Sequence, residues 1–275
     1  MTYKYNVPFW FIPEGGTVSD ETLITHVLLY GQPKDIINLI DDYGLEKCYE
    51  IFKVNVYPHR NIKGRTVKLL EVMHYSTIKE STWNVAKLLS ESEIINDFIL
   101  VGGTALALYL EHRLSEDLDL FTVKKYIDND KIRKNIKKIF NDNYSVLEED
   151  EGYIEFLAND TKLTFYSFGM PIKCEHLINN LNIATIDECI AMKAHAVTFR
   201  DSYKDHYDIY SIMLEKADLS EIIKLAEEKY KTAFNTKLFL SKLLVEIPED
   251  TLENPKYETT SKHIKKFIEE RIENF

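Results

Sequence analysis

Between Phe98 and Phe121 the chain reads FILVGGTALALYLEHRLSEDLDLF, and no other stretch limits its fold and chemistry as tightly. FILV is a short continuous apolar run, the mark of a buried strand, and Gly102-Gly103 ends it. TALALYLEHRL, rich in Ala and Leu, reads as a helix. DLDLF alternates polar and apolar residues and so reads as a strand with one buried face. A strand that ends in Gly-Gly and enters a helix lets a ligand approach the backbone closely. The free N–H groups of the first helical turn then favour an anion such as phosphate. Tight strand-to-helix turns also use glycine for steric reasons alone, so the pair gains meaning only from the acids downstream of it.

Those acids are Asp117 and Asp119, separated by Leu118. Residues two apart on a strand share a face, so the two carboxylates point together while Leu118 and Leu120 point into the core. Like charges side by side on a strand repel unless a cation lies between them. Two hard oxygen ligands suit Mg²⁺, or Mn²⁺, which takes one or two carboxylates together with substrate phosphate oxygens. A phosphate-friendly glycine turn near such a pair points to nucleotidyl transfer from an NTP. The alternative is an exposed Asp-Leu-Asp edge strand with no chemistry.

The rest of the chain sets the frame. Its 275 residues suffice for one large domain or two of ordinary size, and 45% apolar residues allow a real core. The formal net charge of -11 argues against general nucleic-acid binding, so any such contact needs a local basic patch. KKYIDNDKIRKNIKK (124–138), with seven basic and two acidic residues, is that patch. It is a helix that could track an RNA backbone, or simply a solvated amphipathic helix. Cys48, Cys174 and Cys189 are far apart and odd in number, which implies neither a disulfide framework nor a metal site and fits a reducing cytoplasm. No signal peptide and no membrane-spanning run is expected.

Residues 1–75 read as helical: SDETLITHVLLYG and PKDIINLIDDYG each run at helical spacing to a glycine stop, and LEKCYEIFKV forms a third short helix. VYPHRNIKGR (56–65) is linker-like, and a longer helix is expected from Thr66 to about Ser92. YIEFLA and TKLTFYSF flank Asn159-Asp160, which suits a tight hairpin. A short strand is expected near NIATI, and helices thereafter. The class is α+β, with an N-terminal helical domain (1–75), a core (76–180) and a C-terminal helical domain (181–275).

The stretch LVGGTALALYLEHRLSEDLDLF resembles the signature of the AbiEii/AbiGii toxin family of nucleotidyltransferases, with His112, Arg113, Ser115, Asp117 and Asp119 at the motif positions. ECIAMKAHAVTFRDSYKDHYDIYSI resembles the family's later block, with Lys193, Arg200, Lys204, Asp205 and Asp208. The resemblance covers roughly residues 80–215. It implies a polymerase-β-like nucleotidyltransferase core whose C-terminal helices complete the site. It also implies the toxin of a bacterial toxin–antitoxin or phage-defence pair, similar to enzymes that add nucleotides to the 3′ end of tRNA, with a cognate antitoxin as partner. The expected catalytic residues are Asp117, Asp119, Lys193 and Asp208. Gly102, Gly103, Thr104, Arg113, Ser115, Arg200, Lys204 and Asp205 are expected to hold the nucleotide. Residues 1–75 lie outside the resemblance; PFWFIPEGG onward looks like a small helical domain encoded beside such toxins. It would be a regulatory module, or a helical cap in which Phe9, Trp10 and Phe11 are buried.

On one continuous helix, Lys193, Arg200 and Lys204 would form a cationic stripe suited to a triphosphate, beside an acidic stripe of Asp201, Asp205 and Asp208; a solvated face with i,i+4 pairs is the plainer reading. A break near Asp201-Ser202 would spoil that geometry. His195 falls on the opposite face and reads as packing or surface. Many polymerase-β-like transferases carry a third carboxylate on a later strand, yet the polar face of TKLTFYSF offers only Lys162, Thr164 and Tyr166. A symmetric turn at Asn159-Asp160 would set Glu155 opposite Thr164 as a third metal ligand; otherwise Asp205 or Asp208 serves. Two competing functions stay open: nucleotidyl transfer to a protein or small-molecule hydroxyl, and a non-catalytic nucleotide-binding module.

Overall fold

The computed structural model describes Tyr5 and residues 18–31, 33–56 and 77–273. The expected linker at 57–65, the helix over 66–76 and the aromatic cluster at Phe9–Phe11 lie outside the described residues. The chain divides into two compact units, residues 1–74 with 177–179, and residues 75–176 with 180–275.

In the first unit, helix α1 (Asp20–Tyr30) starts at Ser19, whose Oγ accepts from the Thr22 N–H at 3.2 Å, and stops at Gly31. Helix α2 (Pro33–Tyr43) ends at Gly44, whose φ of +79° turns the chain into α3 (Leu45–Ile51), continued by a π-helical turn over Phe52–Val56. Ile24, Val27, Leu28, Ile36, Leu39 and Phe52 are buried, the apolar faces the spacing predicts.

The second unit is built on a seven-stranded mixed sheet, in the order β3-β4-β5-β2-β1-β7-β6. Helix α4 (Glu80–Ser90) precedes it. The long helix expected up to Ser92 therefore does not reach back through residues 77–79: Ile78 instead bridges to Ser115, and Lys79 is extended at the helix start. Strand β1 (Ile99–Val101) runs into α5 (Gly102–Leu110), and β2 (Leu118–Thr122) returns antiparallel to β1. Helix α6 (Asn129–Phe140) begins later than Lys124 because the Asp128 side chain caps it, accepting from the Lys131 N–H at 2.9 Å.

Strands β3 (Tyr144–Asp150), β4 (Tyr153–Ala158) and β5 (Thr161–Ser167) form a meander, and β5 pairs parallel to β2. The β4–β5 turn is the expected two-residue hairpin, with Asn159 and Asp160 at φ +46° and +61°. Strands β6 (Cys174–Ile178) and β7 (Leu181–Ala184) complete the sheet. The boundary expected at 180 thus falls in the turn between two strands of one sheet. Helices α7 (Ile186–Val197), α8 (Tyr203–Glu215), α9 (Leu219–Tyr230), α10 (Thr236–Leu243) and α11 (Ser261–Ile272) come after it in the same unit.

One sheet face is core. Leu118, Leu120, Ile154, Phe156, Leu163 and Phe165 are all at most 1% exposed, each side chain stabilising by about 1.5–3 kcal/mol relative to exposure. Phe165 meets Phe98 and Phe156 edge-on at 5.0 and 6.1 Å. The other face carries Asp119. Helix α6 lies on the core side: Ile132 lines a groove with Phe98 and Thr122, and Thr122 alternates with Asp119 along β2. The basic segment that could track RNA therefore covers the sheet face opposite Asp119.

Candidate active site

The register of β1 on β2 pairs Val101 with Asp119, so Gly102 begins its helix beside that carboxylate. The closeness is severe: a Cβ on Gly102 would lie 2.0 Å from Asp119 Oδ2, and Gly102 has φ +73°. A Cβ on Gly103 would come within 2.8 Å of Arg113 Nη2. Gly102 is thus required where the backbone passes Asp119, while a side chain on Gly103 would have to displace the end of Arg113. Helix α5 has no side-chain cap at Val101, which leaves its first N–H groups for a ligand.

Asp119 is half-buried and Asp117 exposed. Burial, reinforced by the charge of Asp117, pushes the Asp119 carboxyl above the usual carboxylate range. Leu118 and Leu120 are buried as the alternation predicts. The loop before the pair is held by Thr104, whose hydroxyl reaches Ser115 Oγ at 2.7 Å and donates to the Asp117 carbonyl. Ser115 N–H donates to the Thr77 carbonyl at 2.8 Å.

The helical side differs from the single stripe. Helix α7 ends at Val197 and α8 starts at Tyr203, so the break near Asp201-Ser202 is real. The chain turns back and sets Lys193 between two acids, 2.7 Å from Asp205 Oδ1 and 2.7 Å from Asp208 Oδ2. Arg200 grips Asp205 through Nε at 2.5 Å and Nη2 at 3.0 Å. Arg113 grips Asp208 through Nε at 2.7 Å and Nη2 at 3.0 Å, and His112 Nε2 lies 2.7 Å from Asp208 Oδ1. Asp201 pairs with Lys242 at 2.9 Å instead of joining an acidic stripe.

Burial alone would raise the Asp208 carboxyl, but Arg113, Lys193 and His112 outweigh it and hold it well below the usual range. The same contest, won by Lys193 and Arg200, lowers Asp205. Burial would lower the Lys193 ammonium, yet Asp208 and Asp205 hold it above its ordinary value. The lysine stays charged; with two of its three donors engaged, one remains for a ligand.

These groups converge on one cleft of about 310 Å³, lined by Gly103, Thr104, Arg113, Ser115, Asp117, Asp119, Lys193, Arg200, Lys204 and Asp205. Gly102 adjoins it through Asp119. Asp208 and Glu155 do not line it. Asp208 is fully buried beneath Lys193 and Arg113 and holds both cations in place. Glu155 pairs in register with Thr164, and Thr164 with Asp119, which sets the three in one row across β4, β5 and β2. Its carboxylate is held by Tyr153 at 2.8 Å, Thr164 at 3.3 Å and Lys162 at 3.5 Å. His195 stacks on Tyr230, centroids 3.8 Å apart, away from the cleft residues, as packing.

The sequence reading misses Lys162, 4.0 Å from Asp117 Oδ2, and the rim residues Thr251, Leu252 and Glu253. Lys162 was visible as a polar-face residue of β5, and the parallel pairing with β2 brings it to the acid pair. The rim loop carries no motif; it is fixed by backbone, the Leu114 N–H donating to the Glu253 carbonyl at 2.9 Å. Among the described residues no three His, Cys, Asp or Glu side chains form a ready metal cage. The fit to a hard divalent cation therefore rests on the acid pair: burial and the Asp117 charge disfavour an ionised Asp119, and a cation held by the two carboxylates would relieve that.

Residues 85–175 match the family described as nucleotidyl transferase AbiEii toxin, type IV TA system. An uncharacterised protein of Aquifex aeolicus (strain VF5) is 31% identical over 191 residues, 66% of this chain and 91% of that one. The chain belongs to the AbiEii nucleotidyltransferase toxin family. Among solved structures, MenT4, a nucleotidyltransferase toxin from Mycobacterium tuberculosis H37Rv, is 13% identical with a TM-score of 0.45, covering 74% of this chain and 83% of that one. A candidate nucleotidyltransferase from H. pylori is 20% identical with a TM-score of 0.43, covering 71% and 98%. The family match takes in α5, the acid pair and the β4–β5 hairpin; the Lys193–Asp205–Asp208 cluster lies beyond it. This AbiEii enzyme is a nucleotidyltransferase, and no helix among its described residues is long and apolar enough to cross a membrane.

Proposed function

We propose that this AbiEii enzyme transfers a nucleoside monophosphate from an NTP to the 3′ hydroxyl of an RNA, tRNA in the first instance, with Mg²⁺ or Mn²⁺ held by Asp117 and Asp119. The observation that carries the reading is the cleft itself: an acid pair and an uncapped glycine helix start on one wall, and Lys193, Arg200 and Lys204 on the other. When bound, the divalent cation would neutralise phosphate charge and favour the ionised form of the attacking hydroxyl. The protein's own part is binding and orientation. The N-terminus of α5 and the three cations meet the triphosphate, and Arg113 keeps its place through Asp208. The hydroxyl oxygen bonds to the α-phosphorus as the bond to pyrophosphate breaks.

Glu155 is the candidate third carboxylate, one strand removed from Thr164. The toxin family supports a cognate antitoxin as partner and a cytoplasmic role in phage defence.

The test is transfer from each of four labelled NTPs, with Mg²⁺, to bulk tRNA and to total protein, comparing wild type with Asp119→Ala. Label on RNA that vanishes in the variant is the expected result and names the base. Label on protein alone, or label that survives Asp119→Ala, would overturn it.

A further inference from the structure

The strand that carries Asp119 carries an aromatic residue two positions on, Phe121, on the same face. The sheet register continues the row: Phe121 pairs with Tyr166 on β5, and Tyr166 with Tyr153 on β4. Their rings touch in sequence, Phe121 to Tyr166 at 5.0 Å and Tyr166 to Tyr153 at 6.5 Å, both edge-on. Edge-on contact leaves a face of each ring uncovered by its neighbour. The opposite sheet face is sealed, but this one is open at the middle ring: Tyr166 is 38% exposed. Phe121 is half-buried against Phe168 at 5.7 Å and Tyr153 is half-buried with its hydroxyl on Glu155; Tyr166 between them is the ring that hydrophobic burial does not account for.

We propose that this row is a stacking platform for the unpaired 3′-terminal bases of the RNA acceptor. It deepens the proposed transfer to RNA and rests on that reading for the identity of the acceptor. The platform is continuous with the cleft, because Phe121 and Asp119 are neighbours on one strand face. Lys162, on the same face of β5 and itself lining the cleft, lies one row beyond Asp119, Thr164 and Glu155 from the rings, and supplies a cation at the cleft end of the path. Aromatic faces accept any base, and a flanking cation tracks the phosphates.

Charge also sets the length. Beyond β4, strand β3 and its turn present Glu148, Glu149, Asp150 and Glu151, all exposed, with Glu148 opposite Glu155 on this face. That acidic edge repels a continuing phosphate backbone. The platform therefore fits about three nucleotides of single strand, and a duplex running across the sheet is disfavoured.

The experiment is fluorescence anisotropy of a labelled single-stranded RNA tetranucleotide with a free 3′ end, titrated with the full chain without NTP so that no transfer occurs. Binding of a fluorescent non-hydrolysable NTP analogue with Mg²⁺ is measured in parallel. Tyr166→Ala should weaken tetranucleotide binding about tenfold and leave the NTP analogue unaffected, while Tyr166→Phe should bind as wild type. Undetectable tetranucleotide binding by wild type, equal binding by Tyr166→Ala, or equal competition by a blunt duplex would each overturn the platform. If Tyr166-dependent binding is found but no label ever reaches RNA, the platform stands and transfer to RNA falls. If label reaches RNA with binding indifferent to Tyr166, the reverse holds.

Discussion

Gly102 has no room for a side chain, and that single fact links the backbone to the chemistry. Its φ of +73° and the 2.0 Å approach of a notional Cβ to Asp119 Oδ2 act together. Gly102→Ala should therefore lower stability by about 1–3 kcal/mol and displace the Asp119 carboxylate, so that transfer activity falls by more than the loss of folded protein explains. Thermal unfolding and transfer rate measured on the same preparation separate the two effects; full activity in a folded variant would show that Asp119 does not need its present position. Gly103→Ala meets only the end of the Arg113 side chain, so it should be the milder change. At this scale the sequence was most legible, because a glycine pair and an Asp-Leu-Asp are local signals that need no knowledge of distant partners. Lys162 was not legible as a site residue, since its approach to Asp117 depends on the parallel pairing of β5 with β2.

The β4–β5 hairpin sets how Glu155 lies relative to the acid pair, and its turn is a lever on stability. Asn159 and Asp160 both sit at positive φ, where glycine carries no steric penalty. Asp160→Gly should stabilise the protein by about 0.5–1 kcal/mol, read as a rise of a few degrees in melting temperature, with transfer unchanged because neither turn residue lines the cleft. Glu155→Gln keeps the hydrogen bonds from Tyr153 and Thr164 but removes the charge facing Lys162. A third metal-binding carboxylate predicts a large loss of transfer, recovered in part by Mn²⁺; normal transfer by Glu155→Gln would remove it from that role. The hairpin was legible because Asn-Asp between two alternating runs fixes both turn and register. Strand β3 was not, since six of its seven residues are exposed and acidic residues crowd its end, so it lacks alternation. Local pattern allows the break between α7 and α8 without requiring it; what decides it is the pull of Lys193 and Arg200 on Asp205, a tertiary effect.

On the scale of the molecule, Asp208 joins three segments far apart in the chain. It is fully buried on α8 and meets His112 and Arg113 from the loop after α5, and Lys193 from α7. Tyr207 beside it donates to the His112 carbonyl at 3.1 Å and accepts from the Tyr257 N–H at 2.9 Å, tying in the segment before α11. Asp208→Asn leaves Arg113 and Lys193 buried with one counter-charge between them, and should cost about 3–5 kcal/mol. The pH dependence has a definite sign. The folded carboxyl is held well below 3.8, its ordinary value, so its contribution is complete above that pH and is lost as pH falls through the folded value. Urea unfolding midpoints of wild type and Asp208→Asn should thus differ most from neutral pH down to about pH 4 and converge in stronger acid. A difference that stays constant to about pH 3 would mean the aspartate acts through shape and hydrogen bonding alone. Convergence would show that the charge cluster beneath the cleft fastens the C-terminal helices to the sheet, so that the cations lining the cleft are placed by the same forces that hold the unit together.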